Sequence, residues 1–489
     1  MYHHRAAQRV TILRFFILPL LFICGCGGPS EQENTTDDDK PAETSGPLSV
    51  IVLDDKPLGE TVKRQWNAHS EAEVEIQHLS SAEFVAAESK PAADVIIYPA
   101  GLLGELVEGE WIRPVPDHVL AHPNIDSRDI LPLDRGPNVT WGKTVYAFSF
   151  GSPSFVLFYR SDLFESMRIN VPTTWDEYRE IAEKLNDRTR LGESAPPADQ
   201  PWSGTAEPLA PGWSSQLLLA RAASYVRRRS RYSTLFNYST MQPLIDREPY
   251  VQSLVELQTA SQFGPQDTKV LTPHHARQAI QSGECAMAIS WPTRPSDEER
   301  SDDSKSFPIS FAPLPGSRSV YNFADDRWEK RDDEDMHVPL MAVAGRLGSV
   351  MTSARNSRGA LNLLARLTDK ELGASVAAQS ESTTMFRSSQ FSRTEAWIDP
   401  SLGIDAARQY ESVVNQTHKS QIWLYSIRIP GRLEYLRSLD DAAQQVVCND
   451  QDPAQQLKTV AEKWSEVTKS KKHGVEAQRQ AYRKGLGLK

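Results

Sequence analysis

Residues 146–185, YAFSFGSPSFVLFYRSDLFESMRINVPTTWDEYREIAEKL, decide how the rest of the chain is read. Tyr146 to Phe150 is apolar and aromatic, and Gly151, Ser152 and Pro153 interrupt it. Phe155 to Tyr159 is a continuous apolar run, which predicts a strand buried on both faces. Pro172 then stops the chain. Thr174 with Glu177 makes a capping box, and Tyr178, Ile181 and Leu185 recur behind it at helical spacing. The order is strand, turn, strand, turn, helix. A Gly-Ser-Pro break between two buried strands is either a bulge that kinks one strand or a bending point where one lobe hands over to another.

Upstream, Leu48 to Leu53 is a short buried strand followed by Asp54, Asp55 and a turn. Gly59 to Ala68 reads as a helix, with Val62 and Trp66 one turn apart. Val74 and Ile76 alternate as a strand. Ser80 with Glu83 caps a second helix, and Asp94 to Tyr98 is another buried strand. Alternating strands and helices with buried strands predict a mostly parallel sheet covered on both faces. In such sheets ligands sit beyond the carboxyl ends of the strands, which makes Asp54, Asp55, Tyr98 and Ser152 candidates.

Downstream, a Pro-rich loop over 196–211 precedes a helix from Trp213 to Val226, closed by Arg227, Arg228, Arg229 and Arg231. That cluster reads as a solvated helix end offsetting the C-terminal dipole. Further helices are expected over 246–260 and 276–282, then a strand from Cys285 to Ser290 and Trp291-Pro292. Asp297 to Lys305 looks like an inserted acidic loop, and Phe311 to Gly316 a proline-bound edge strand and turn. After Val338 to Val343 the remainder is helical: 357–367, 406–414, 433–447 and 453–467. The basic, weakly apolar tail from Lys469 reads as a frayed or disordered helix.

At the start, Arg5, Arg9 and Arg14 precede an apolar run from Phe15 to Ile23, too short to span a bilayer and typical of an export signal. It ends in Cys24-Gly25-Cys26, which resembles a bacterial lipobox. That resemblance implies cleavage after Gly25 and lipidation of Cys26. Residues 26–46 have almost nothing apolar to bury and read as a disordered tether. Removing residues 1–25 takes away three arginines and moves the net charge from −10 to about −13, against a nucleic-acid partner. Export places Cys285 and Cys448 in an oxidising compartment, where they either pair or remain buried thiols.

No nucleophile elbow, H-E-x-x-H or phosphate-cradling loop is present. His274 and His275 are adjacent and point apart on a helix. No catalysis, metal or cofactor is therefore expected. The aromatics say more: with 11 Trp and 14 Tyr, some rings are available to cover the C–H faces of a sugar. Trp66, Trp175 and Trp464 lie on amphipathic helix faces and belong to the core. Trp213, after a Pro-Gly turn, and Trp291, after a buried strand, are the better ligand candidates, with Trp423 weaker.

The pattern Phe150, Gly151, Pro153, Tyr159, Asp162-Leu163-Phe164, Pro172 and Thr174-Trp175-Asp176-Glu177 resembles a signature of the family 1 extracellular solute-binding proteins, the capture components of ABC importers. Ser149 and Arg160 depart from it. Further landmarks follow in the family's order, including G-E-C-A-M-A-I-S-W-P and P-G-R-L-E-Y-L-R-S-L-D. The likeness spans roughly residues 48–467, leaving the insertion around 297–335 and the tail outside. It implies an α/β protein with the two-lobe periplasmic-binding-protein fold of type II, each lobe a mostly parallel sheet flanked by helices, and a helical C-terminal part. Lobe I is expected at 47–151 and 343–388, and lobe II at 152–342 and 389–470. A tail at 471–489 follows, and crossings lie near Ser152, Met341 and Arg387. The resemblance also places cleft residues near Phe386 and Arg387, although Arg387 equally suits a structural ion pair. The implied function is a monomeric, lipid-anchored, periplasmic or cell-surface receptor delivering a solute, a sugar first of all, to a membrane permease. A sensor or structural lipoprotein on the same fold and an exported hydrolase are the alternatives.

Overall fold

Two sheets carry the molecule. The first has the order Val74–Leu79, Leu48–Leu53, Val95–Pro99, Arg346–Val350, Phe148–Ser149, with its first three strands parallel and the last two added antiparallel. The second runs Ile309–Pro313, Val156–Arg160, Cys285–Ser290, Ser203–Ala206. The computed structural model describes residues 47–70, 72–89, 91–230, 232–267, 270–294, 307–331, 336–470 and 474–488. The export signal, Cys26, the tether, and residues 297–306 and 332–335 of the insertion lie outside them.

The expectation of mostly parallel sheets holds for the core of the first sheet only. In the second, Val156–Arg160 pairs antiparallel with both neighbours, and only Ser203–Ala206 with Cys285–Ser290 is parallel. The chain enters this sheet from the first along 150–155, and the direction of that entry sets the strand against its partners. Ile309–Pro313 is indeed an edge strand, closed by Pro313, which lacks the N–H an inner strand needs.

Local chemistry explains the elements. The capping boxes at Ser80/Glu83 and Thr174/Glu177 both form, each hydroxyl accepting from the residue three on while the glutamate reaches back. Leu48–Leu53 and Val95–Pro99 are almost wholly buried, consistent with helices on both faces. The described residues from Pro47 onward cluster in one compact unit, so the halves built on the two sheets are in close contact.

Asp94 fastens the first sheet to the turn that opens the helix Ser357–Leu367. Its carboxylate accepts from Ser49 N at 3.0 Å, Ser49 Oγ at 3.0 Å, Arg355 N at 2.8 Å and Asn356 N at 3.1 Å. Burial raises its pKa, but these donors together outweigh burial and bring it below the ordinary carboxylate value. Asp94→Ala is expected to cost about 2–3 kcal/mol in urea unfolding, because buried amides lose their acceptor. A folded pKa below the unfolded one means stability present at neutral pH and lost as pH falls through the folded value, so Asp94→Asn should flatten that acid limb.

Two expectations change. The segment after Gly474 is a docked helix, Val475–Gly485, with Ala481 and Tyr482 buried. Its apolar contacts come from a single narrow edge, which a sequence average hides. The arginines after Val226 are not simply solvated. Arg227 Nε donates to Trp423 O at 2.7 Å, and Arg228 pairs with Glu329 at 2.6 Å. Cys285 and Cys448 are not bonded to one another: Cys285 is buried, and Cys448 Sγ donates to Gln444 Oε1 at 3.4 Å. Among the described residues no helix is long and apolar enough to cross a membrane.

Candidate functional site

The chain passes between the sheets along residues 150–155 and back along 342–345, and these segments lie side by side. Phe150 N donates to Arg346 O at 2.9 Å and Arg346 N to Gly151 O at 3.2 Å. Gly151 has φ +97°, and a Cβ there would sit 2.0 Å from Thr384 O. Gly345 has φ +108°, and its Cβ would meet Ser152 Oγ at 2.3 Å. A third segment, 378–386, therefore closes on the same point. Only glycine combines this backbone with such close approach. Ser152 is buried, and its hydroxyl has no hydrogen-bond partner among the described residues.

On the side of the first sheet, Asp54 adopts a left-handed backbone and accepts from Ser81 N at 3.0 Å. Asp55 caps the helix Lys56–His69 by accepting from Leu58 N at 3.1 Å. Its other oxygen accepts from Ser380 Oγ at 2.5 Å and lies 2.9 Å from Arg346 Nε, a charge contact rather than a linear hydrogen bond. The sequence offers both Asp54 and Asp55 as ligand groups. The structure leaves Asp54 exposed and holds Asp55 in this internal pair.

From the second sheet the helix Pro273–Gln281 and the strand Cys285–Ser290 present Arg277 and Trp291. Both reach Glu381, which follows the helix Gly373–Ala377 packed on Lys56–His69. Trp291 Nε1 donates to Glu381 O at 2.7 Å, Arg277 Nη2 to Glu381 Oε2 at 2.8 Å, and His274 Nδ1 is 3.4 Å from the same oxygen. The Trp213 ring lies 5.6 Å from that of Trp291 and is half-buried. Asp55, Ser152, Trp213 and Trp291 thus converge with Arg346, Ser380, Glu381 and Arg277 where the two halves meet. Trp291→Phe keeps an aromatic ring, smaller than the indole, and removes the N–H that spans the halves; a loss of roughly 1–2 kcal/mol in urea unfolding is expected.

The other sequence candidates lie elsewhere. Tyr98 is in the core of the first sheet with its hydroxyl 2.8 Å from Ser349 Oγ, and burial drives its pKa up. Its strand is buried on both faces, so the ring points into protein rather than beyond the strand end. Phe386 is buried. Arg387, 1 % exposed, donates to Thr368 O at 2.8 Å and Ile125 O at 3.0 Å and pairs with Asp129 at 3.3 Å. That is the structural ion pair left open by the sequence. Trp423 lines a separate cavity.

Arg346, Glu381, Arg277 and Arg432 escaped sequence reading. Arg432 packs on Gly101, where a Cβ would lie 2.4 Å from its Cζ, and donates to Ser426 Oγ at 3.1 Å and Ala342 O at 3.2 Å. Burial, with nearby Arg428, lowers its pKa to about 9. The one sequence signal at these positions was the P-G-R turn at 430–432. Among the described residues no cluster of three His, Cys, Asp or Glu side chains suits a metal ion.

Residues 53–324 match the sequence profile described as "Bacterial extracellular solute-binding protein". No curated protein matches in sequence. Among solved structures, an ABC transporter solute-binding protein of Agrobacterium radiobacter K84 with ribitol aligns at TM-score 0.63 and 16% identity, covering 87% of this chain and 100% of that one. One from Agrobacterium vitis S4 with bound D-mannitol gives 0.60 and 16%, covering 87% and 98%. Maltose-bound MalE3 of T. maritima gives 0.59 and 16%, covering 85% and 99%. At these identities the likeness establishes the two-lobe fold.

Proposed function

The chain belongs to the bacterial extracellular solute-binding protein family, and from that premise we propose that it captures a sugar or polyol between two lobes and presents it to an ABC import permease. Lobe I comprises 47–151 and 343–388, and lobe II 152–342 and 389–470. The observation that carries the reading is the junction itself. Glycine-lined crossings lie side by side at Gly151 and Gly345, and Trp291, Arg277 and Glu381 join the two halves beside them. A solute that touches both halves there favours the closed arrangement by its differential affinity for it.

The half-buried face of Trp213 suits the C–H face of a pyranose or an extended polyol, with Glu381 and His274 beside Trp291 for hydroxyls. Ribitol, mannitol and maltose in the structural neighbours support the same ligand class. The protein works as a monomer held by lipid on Cys26, with residues 26–46 as the tether after removal of 1–25.

The test is thermal unfolding of the full mature chain against a panel of neutral sugars and polyols. Binding to the folded state raises Tm by linkage, and saturation at a hundred times Kd corresponds to about 2.7 kcal/mol. A rise with at least one sugar or polyol is expected. No shift with any of them, together with a shift on adding a peptide or polyamine, would overturn the ligand class.

A further inference from the structure

The C-terminal helix Val475–Gly485 lies outside the stretch that resembles the solute-binding family, and its contacts divide between the two lobes. Toward lobe II, the Tyr482 hydroxyl accepts from Phe236 N at 3.4 Å and the two ring centres stand 5.4 Å apart. Gln478 Nε2 donates to Pro430 O at 2.7 Å, and Gln478, Ala481 and Tyr482 are all buried. Toward lobe I, Lys484 Nζ reaches both oxygens of Glu108, at 2.9 and 3.2 Å, and Lys484 O accepts from Gly142 N at 3.2 Å. Gly485 lies against Trp141, whose ring would be 3.0 Å from a Cβ at that position. Trp141 Nε1 donates to the same Glu108 at 2.6 Å, so one carboxylate anchors both the tryptophan and the lysine.

Tyr482 and Lys484, two residues apart, therefore hold different lobes. A helix has no slack over so short a distance, and the lobes cannot part with both attachments intact. The attachments are unlike. The lobe II side is aromatic packing and a buried amide. The lobe I side is an ion pair whose lysine side chain is 46 % exposed, one main-chain hydrogen bond and the approach of a glycine to a ring. An exposed ion pair is a weak tie that water readily replaces, so the lobe I side is the one that yields. Direct ties lie beside it, Gly431 N to Glu105 at 2.7 Å and Tyr425 Oη to Asn138 Oδ1 at 2.9 Å, and these part in the same movement.

We propose that this helix is a releasable latch: it stays on lobe II and, by engaging Glu108, Trp141 and Gly142, biases the empty protein toward its closed form. The proposal rests on the two-lobe reading above and adds the device that sets how often the empty protein opens. Such a bias tightens the apparent affinity, because apparent Kd falls as the binding-competent fraction rises. It also slows association, because a solute enters only while the latch is released.

Pulsed dipolar distances between spin labels at Lys63 and Glu183, exposed on lobe I and lobe II, test this in the ligand-free chain with Cys448 replaced by serine. Lys484→Glu sets like charges against Glu108 and should raise the population at longer separation about threefold or more. Gly485→Val drives a side chain into the Trp141 ring and should do the same by a different route. Adding Glu108→Lys to Lys484→Glu restores opposite charges and should return part of the shorter population. With a sugar or polyol that raises Tm, both single variants should associate faster and bind about threefold or more weakly. An unmoved ligand-free distribution in both single variants would overturn the latch. So would a lowered urea midpoint with unchanged separation, the mark of a helix that only stabilises the fold. Failure of the sugar reading looks different: no solute then alters the parent protein, while the ligand-free shift in the variants still decides the latch.

Discussion

Arg221→Met is expected to lower stability to urea by about 3–5 kcal/mol, among the largest effects of any single substitution in this chain. Arg221 lies inside the wholly buried helix Ser214–Val226, and both it and Glu207 are 1 % exposed. Its Nη2 donates to both Glu207 oxygens, at 2.8 and 3.0 Å, while Tyr178 Oη donates to the same carboxylate at 2.9 Å. The guanidinium also lies 4.1 Å from the Trp175 ring centre. Burial is the largest influence and pulls the Arg221 pKa down, but Glu207, Glu256 and Tyr178 together outweigh it and raise it overall. Without the arginine, Glu207 is a buried charge with no counter-ion. Adding Glu207→Gln should therefore restore part of the loss. A variant that unfolds at the wild-type urea concentration would show that the pair contributes little beyond an apolar substitute.

Gly151→Ala is expected to be nearly as damaging, roughly 2–4 kcal/mol, and to affect motion as well as stability. An alanine at φ +97° is strained, and its Cβ would overlap Thr384 O at 2.0 Å. Relief requires the crossing 150–155 and the segment 378–386 to separate, which pulls apart the proposed pivot between the halves. The expected signature is a lowered urea midpoint together with weaker binding of whichever sugar stabilises the parent. Gly192→Ala is the control. It also has a positive φ but nothing within 4 Å of the added methyl, so it should show strain alone and leave binding intact.

How much of this was readable from the chain depends on range. The capping box at Thr174/Glu177 needs only four residues, and it forms as read. The Gly-Ser-Pro break announces a discontinuity between buried strands, and the structure passes from one sheet to the other there. Trp213 and Trp291 each carried a local clue, a helix start and a strand end, and they stand together. What stayed hidden was pairing across distance. Nothing near Asp55 announces Arg346, and nothing near Trp291 announces Glu381, since each contact exists only once both sheets are assembled. Tyr98 shows the opposite failure. A strand buried on both faces gives no alternation, so its last aromatic residue could face a ligand or the core, and it faces the core. The direction of Val156–Arg160 was likewise set by the path into the second sheet, which hydropathy does not encode.

The claim at the centre of this account is that the halves move together around a solute. Spin labels at Lys63, exposed on the first half, and Glu183, exposed on the second, report the separation directly by pulsed dipolar spectroscopy. Cys448 is replaced by serine, Cys285 is buried, and the chain begins after Cys26. The account predicts a broad distribution without ligand that shifts to a shorter, narrower one at saturation with a sugar or polyol that raises Tm. An identical distribution with and without every such ligand would contradict it.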